Sequence, residues 1–213
     1  MFGKKYIGEG IQGKCYELKN GIILKKFKYP RDIEDIEKFK YFLEYQNDSF
    51  MFPFDFIYNK RNFHGYFCKK ALGKSLGQTF KDSNLIKMAE NSQKLEEDIN
   101  KVSDGKIRLY DIRYENILYD QNKLSVIDPD EFSHLDYLTT DQVKRDNNNQ
   151  YRSLIVNLFL RNLQFNEQSF KLYRIDDYRR SNIPVSEIIY RIKRDLDRYY
   201  NVDIQTLDEL KKR

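Results

Sequence analysis

The chain has 213 residues, with 38 Lys and Arg against 33 Asp and Glu, a formal net charge of +5 and a 40% hydrophobic content that includes 17 Tyr and 15 Phe. This suits one domain, or two small lobes sharing a cleft, with a real core and a weak preference for an anionic ligand; the basic stretches at Arg179-Arg180, Arg191–Arg198 and Lys211-Lys212-Arg213 are interrupted by acids and do not make the footprint of a nucleic-acid binder. Two cysteines, Cys15 and Cys68, in no CxxC or Cys/His spacing exclude a disulfide framework and a structural zinc site and suit a reducing cytoplasm, while the start Met1–Lys5 lacks the apolar core of a signal peptide and no apolar run approaches the ~18 residues of a membrane span.

In chain order, Lys4–Gly8 reads as a strand entering a glycine-containing loop and Lys14–Leu18 as the strand leaving it. Asn20-Gly21 is a hairpin signal, after which Ile22-Ile23-Leu24 leads into Lys25-Lys26-Phe27. Residues 32–46 read as a helix with Asp32 as N-cap and Ile33, Ile36, Phe39 and Leu43 in helical period. Phe52–Tyr58 and Phe63–Lys70 are further strands about the polar turn Asn59–Asn62, and Ala71–Gly77 is the expected boundary between two parts of the chain. Leu85, Met88, Ser92, Leu95, Ile99 and Val102 step by three and four, an amphipathic helix that Ser103-Asp104-Gly105 ends. Ile107–Tyr110 and Asn116–Tyr119 flank a polar loop, Leu124–Ile127 is a short strand, and Tyr151–Leu163 is apolar on most faces and reads as a buried helix. Pro184 opens a last helix with Val185, Ile188, Ile189, Ile192, Leu196 and Tyr199 on one side.

The polar loop carries the chemistry. Asp111-Ile-Arg-Tyr-Glu-Asn116, followed by Asp128 behind Leu124–Ile127, supplies a carboxylate, a carboxamide and a second carboxylate, each beside an apolar segment. Phosphoryl transfer from a magnesium nucleotide needs such a set: an acid to orient and deprotonate a hydroxyl, and an amide oxygen and another acid to hold the metal. Asp130 either supports the metal or caps the next turn, and Arg113 either neutralises a transferring phosphoryl group or stands on the surface. Upstream, Gly8, Gly10 and Gly13 form G-x-G-x-x-G between two strands, unlike a Rossmann fingerprint, which opens a helix. Alone it is an ordinary glycine hairpin. Strand alternation sends Lys25 and Lys26 to opposite faces, and Lys25 is the candidate for phosphate oxygens. A cleft lysine needs a carboxylate, for which Glu44 is the first choice and Glu37 the alternative.

Together these residues resemble the protein-kinase-like superfamily, which spans eukaryotic-type protein kinases and the aminoglycoside and choline phosphotransferases, over the stretch from Gly8 to Asp130. The resemblance implies a bilobal α+β fold: an N-lobe at 1–71 with a small antiparallel sheet and one helix, and a reduced, mostly helical C-lobe at 72–213. It implies ATP and Mg2+, with Asp111 as base, Asn116 and Asp128 as metal ligands, and Lys25 with Glu44 on the phosphates. It further implies Gly8, Gly10 and Gly13 over the phosphates, Cys15 over the adenine, Cys68 at its rear, and Lys69, Lys70 and Ala71 as the hinge. Leu109 stands where the family usually has His, Asp128-Pro129-Asp130 replaces Asp-Phe-Gly, and no Pro occurs between Asp130 and Pro184. The expected activity is a cytoplasmic kinase with a protein Ser/Thr acceptor, no nucleic-acid or membrane partner, and an open oligomeric state. A small-molecule phosphotransferase, with Asp136, Asp141, Asp146, Asp176 and Asp177 as candidate acids for a cationic substrate, and an inactive nucleotide-binding pseudokinase are the alternatives.

Overall fold

The computed structural model describes residues 4–163 and 172–212; Met1–Gly3, the start weighed above against a signal peptide, and Arg213 of the basic terminal run lie outside the described residues. Among the described residues the chain is a mixed α+β fold. Its main sheet is antiparallel and five-stranded, built from β1 (Lys5–Glu9), β2 (Gly13–Glu17), β3 (Ile22–Asp32), β4 (Pro53–Tyr58) and β5 (Asn62–Lys69) in the spatial order β1-β2-β3-β5-β4. Asn20 and Gly21 turn β2 into β3 with left-handed backbones, φ 63° and 69°, the geometry an Asn-Gly hairpin supplies. On the central strand β3, Lys25 is buried and Lys26 exposed, as strand alternation requires.

Two glycines allow the neighbouring backbones to close on this point. A Cβ at Gly13 would lie 2.5 Å from the Lys26 carbonyl oxygen, and one at Gly65, where φ is 155°, would lie 2.1 Å from that of Lys25. Beyond Lys26 the ladder slips. Lys26 faces Gly65, but the next pair is Arg31 with Phe63, so β3 bulges outward and leaves Tyr29 82% exposed.

The bulge corrects the expected helix over 32–46. Arg31 and Asp32 rejoin the β5 ladder, Asp32 opposite Asn62, so Asp32 ends a strand instead of capping a helix. The helix begins later, as α1 (Asp35–Tyr41), and tightens into a 3-10 turn over Phe42–Tyr45. It packs Ile36 and Phe39 against the sheet, where Phe39 lies 5.2 Å from Phe63 and 5.5 Å from Tyr66 between ring centroids. Each buried ring contributes on the order of 1.5–3 kcal/mol of transfer free energy.

Ala71–Gly77 carries the chain out of this sheet, through β6 (Lys74–Ser75), into α2 (Leu76–Thr79). There follow α3 (Leu85–Asp104), β7 (Ile107–Arg108), β8 (Ile117–Tyr119), β9 (Leu124–Val126), β10 (Ser133–His134), α4 (Thr140–Leu163), α5 (Leu172–Asp177) and α6 (Val185–Tyr200). Strands β6, β8 and β9 form a small antiparallel sheet, and β7 pairs with β10. Helix α3, capped by Asn84 accepting from the Lys87 amide at 3.0 Å, buries Leu85, Met88, Ser92, Leu95, Ile99 and Val102, the predicted stripe. It packs against α4 and α6. Val185, Ile188, Ile189, Ile192 and Leu196 of α6 are buried, but Tyr199 is 46% exposed in the last turn and meets Tyr200 edge-on.

The main sheet and the helical part are joined at residues 49–52. Val126 donates its amide to the Ser49 carbonyl at 2.7 Å and accepts from the Met51 amide at 2.9 Å, while Phe50 and Phe52 meet Phe132 edge-on. Among the described residues no helix is long and apolar enough to cross a membrane.

Glu96 on α3 supplies the missing N-cap of α6: it accepts from the Val185 amide at 2.7 Å and, more weakly, from Ser186 at 3.4 Å. Burial raises its pKa above 4.5, and these amide bonds offset part of the rise. The folded state thus binds its proton more tightly than the unfolded chain, so this group's contribution to stability falls as pH climbs from 4.5 through the folded value. Glu96→Ala is expected to lower stability by about 1 kcal/mol in urea denaturation, whereas Glu96→Gln keeps an acceptor and flattens the pH dependence of the midpoint over that window.

Candidate active site

The β8–β9 hairpin places two of the predicted groups at its open end. Ile117 faces Val126, and the Ile127 amide donates to the Asn116 carbonyl at 2.9 Å, so Asn116 and Asp128 leave the hairpin side by side. The Asn116 side-chain amide donates to the Asp111 carbonyl at 3.2 Å and to its Oδ2 at 3.3 Å. Arg113 grips the same carboxylate with two prongs, Nε to Oδ1 at 2.6 Å and Nη2 to Oδ2 at 2.7 Å. Asp111 and Asp128 both hold left-handed backbones, φ 66° and 62°, a conformation uncommon outside glycine and concentrated at functional sites.

Leu109 is fully buried, and its amide donates to Asn147 Oδ1 at 2.9 Å. Asn147 in turn donates to Ser103 Oγ and the Ile107 carbonyl, both at 2.9 Å. A fully buried carboxamide from α4 therefore braces the approach to Asp111.

Lys25 reaches this group from the main sheet. Its ammonium is bonded to Asp128 and lies 2.8 Å from Asp130. Burial works against its charge, but Asp130 and Asp128 outweigh that effect and hold its pKa above 10.5. Asp128 is pushed the other way: burial and the neighbouring Asp130 charge raise its carboxyl above 3.8 despite Lys25.

Here the expected lysine partner is corrected. Glu44 sits exposed on the 3-10 turn after α1, and Glu37 is exposed and pairs with Lys40 at 2.6 Å. The short α1 turns both away from Lys25. The acid that holds Lys25 from within the protein is Asp130, 3% exposed, which also accepts from Tyr66 Oη at 2.8 Å and from Arg31 Nη2 at 3.4 Å. Lys38 of α1 donates to the Asp130 carbonyl at 2.6 Å.

The predicted residues border two adjoining cavities. One, of about 580 Å³, is lined by Gly10, Gly13, Cys15, Lys25, Asp111, Arg113, Asp128 and Asp130. The other, of about 190 Å³, is a largely apolar slot whose walls include Ile7, Cys15, Ile23, Cys68, Leu118 and Ile127, with Lys69, Lys70 and Ala71 at its edge. Lys25 and Asp128 line both. Gly8 lines neither; it lies in β1 opposite Cys15, and a Cβ there or at Gly10 would meet open space. Gln12 at the loop tip bonds Glu131 and accepts from Arg31 at 2.5 Å, which ties the glycine loop across the cleft. Burial pushes the Cys68 thiol up to about 12 and also raises Cys15, so both behave as small apolar wall residues.

Among the described residues no group of three or more His, Cys, Asp or Glu is arranged to hold a metal. The donor chemistry of Asn116 and Asp128 nonetheless suits magnesium, which takes one or two carboxylates and completes its shell with phosphate oxygens and water. The Asn116 side-chain nitrogen is spent on Asp111, leaving its Oδ1 for a cation.

A scan against protein-family models finds no match, and a search of curated proteins finds no relative. Sequence reading missed Arg31, Tyr66, Lys38 and Asn147. Asn147 left one trace: it stands four and seven residues before Tyr151 and Leu154, on the buried side of its helix. Asn147→Ala leaves the Leu109 amide and Ile107 carbonyl without their partner, and is expected to cost about 1–3 kcal/mol in urea unfolding at an unchanged m-value.

Proposed function

We propose that this protein is a magnesium-dependent kinase of compact, bilobal, protein-kinase-like form that transfers the γ-phosphoryl group of ATP to a hydroxyl, in the first instance a Ser or Thr of a protein. The observation that carries the reading is the single cleft in which Gly10, Gly13, Lys25, Asp111, Arg113 and Asp128 meet although the sequence scatters them. The apolar slot behind Lys25 has walls suited to an adenine ring, and its edge at Lys69–Ala71 offers backbone polar groups to the base.

In this reading Lys25 binds the α- and β-phosphate oxygens as a fixed cation. Asp111 orients the acceptor hydroxyl and takes its proton as that oxygen bonds to the γ-phosphorus and the bond to the β-phosphate oxygen breaks, releasing ADP. Arg113 engages Asp111 through both carboxylate oxygens and is 63% exposed along its side chain. It moves at little cost onto the phosphoryl oxygens, which frees Asp111 for the hydroxyl. Magnesium, held by Asn116 Oδ1 and Asp128, supplies charge neutralisation between phosphate oxygens when bound.

The pairing of three of the remaining acids supports a protein acceptor. An amino-sugar or amino-alcohol acceptor needs carboxylates gathered around its cation. Asp146 is taken by Arg108 at 2.5 Å, Asp176 by Arg179 at 2.8 Å, and Asp136 faces His134 at 3.2 Å. A second hollow, of about 490 Å³, runs along α4 from Arg113 and is walled by Tyr114, Gln150, Ser153, Asn157 and the paired Arg108 and Asp146. Those polar, mostly uncharged groups suit an extended polypeptide.

With labelled ATP and magnesium in a cell extract, label is expected on protein. Asp111→Ala should lower transfer by roughly 10²–10⁴-fold while nucleotide still binds, and chelating magnesium should abolish it. Unchanged turnover in that variant would remove Asp111 from its role, and label confined to small metabolites would overturn the protein acceptor.

A further inference from the structure

We infer that Asp130 is the positioning residue for Lys25, and that it replaces a helix-borne glutamate: its buried carboxylate fastens the turn after β9 to the main sheet, and its backbone carbonyl fastens that turn to α1. The inference rests on the kinase reading and assigns the part of that site which Glu44 and Glu37 do not fill. A lysine that binds phosphates has to be held in place by a carboxylate that does not itself leave to bind metal or substrate. Asp128 is unsuited, since it is the proposed metal ligand and its side chain is 44% exposed. The Asp130 side chain is 2% exposed and is held by Tyr66 Oη.

Its side-chain partners arrive from two strands of the main sheet. Lys25 comes from the middle of β3 at 2.8 Å, Tyr66 from β5 at 2.8 Å, and Arg31 from beyond the β3 bulge at 3.4 Å. Arg31 also lies flat over Phe27, 4.2 Å from the ring centroid, which fixes its guanidinium. Lys38 of α1 then binds the backbone oxygen of the same residue at 2.6 Å, so the helix residue that reaches Asp130 is a lysine. The sign of the helix contact is thereby inverted: α1 brings a cation to Asp130, and Asp130 brings the anion to Lys25. Because Asp130 follows Asp128 by two residues, the lysine anchor and the metal-binding carboxylate move as one turn, the 3-10 turn Pro129–Glu131. A kinase built this way keeps Lys25 poised without an inward swing of α1.

The test compares wild type with Asp130→Asn, Glu44→Gln and Glu37→Gln. The readouts are ATP binding by calorimetry, phosphoryl transfer, and the rate at which acetyl N-hydroxysuccinimide labels Lys25, followed by mass spectrometry. Loss of a charge-assisted partner is expected to weaken ATP binding in Asp130→Asn by on the order of tenfold or more and to speed labelling of Lys25, with Glu44→Gln and Glu37→Gln like wild type. Adding Lys38→Glu to Asp130→Asn, which puts a carboxylate on α1 toward Lys25, should recover part of the affinity and of the protection; a merely structural role for Asp130 gives no such recovery. If Asp130→Asn does not fold, Tyr66→Phe, which removes one donor and keeps the ring, carries the test, with faster Lys25 labelling expected. A folded Asp130→Asn, or in its place Tyr66→Phe, with wild-type affinity and labelling overturns the inference, as does an equal loss in Glu44→Gln. Labelling needs no turnover: protection that depends on Asp130 in a protein that binds no ATP would sink the kinase reading and leave the anchor standing.

Discussion

A carboxylate removed from water has to be fully paired, and in this protein the arrangement of the whole cleft answers to that demand at Asp130. Burying an unpaired charge costs several kcal/mol, and pairing offsets the cost only where geometry is good and the remaining lone pairs are used. Lys25, Arg31 and Tyr66 meet those conditions on the side chain, and Lys38 engages the backbone. Each donor sits where an irregularity of the fold has delivered it. The β3 bulge returns Arg31 to the ladder, Gly65 lets β5 press against Lys25, and the late start of α1 aims Lys38 inward. The main sheet and the turn after β9 are thus held in one relation by a polar cluster in addition to the Phe50, Phe52 and Phe132 contacts.

The groups proposed for catalysis carry unfavourable terms that the surrounding fold supports. Asp111 and Asp128 hold left-handed backbones, and burial beside Asp130 raises the Asp128 carboxyl. Strain and like-charge crowding persist only where neighbouring structure over-determines the conformation. Here the β8–β9 hairpin, the Asn116 bonds to Asp111 and the Asn147 brace under Leu109 supply that support. A buried carboxamide from α4 braces the backbone on the approach to Asp111, at the Leu109 amide and the Ile107 carbonyl.

Charge and apolarity are segregated within the cleft. The Lys25, Asp111, Arg113 and Asp128 end is charged and open, while the slot behind it is walled by Ile23, Cys68, Leu118 and Ile127. A ligand with an anionic end and a flat apolar end matches that division, and a nucleoside triphosphate has this form. The upward-shifted thiols of Cys15 and Cys68 add no charge to the slot.

Most of the elements were legible from the chain because their causes are local. The step of three and four from Leu85 to Val102, the Asn20-Gly21 turn and the alternation that separates Lys25 from Lys26 each act within a few residues, and the structure follows them. The Asp111, Asn116 and Asp128 group is local too: a short hairpin brings Asn116 and Asp128 together, and Asp111 stands five residues before Asn116, which bonds it. The sequence by itself also determined the chemical types available to the cleft. What only tertiary structure decided was which acid meets Lys25. Glu44, Glu37 and Asp130 are equivalent as carboxylates, and the choice rests on a bulge in β3, the length of α1 and the burial of a turn a hundred residues away. Those are packing outcomes among distant segments, and a buried ion pair of that kind leaves no periodic trace in the residues that form it.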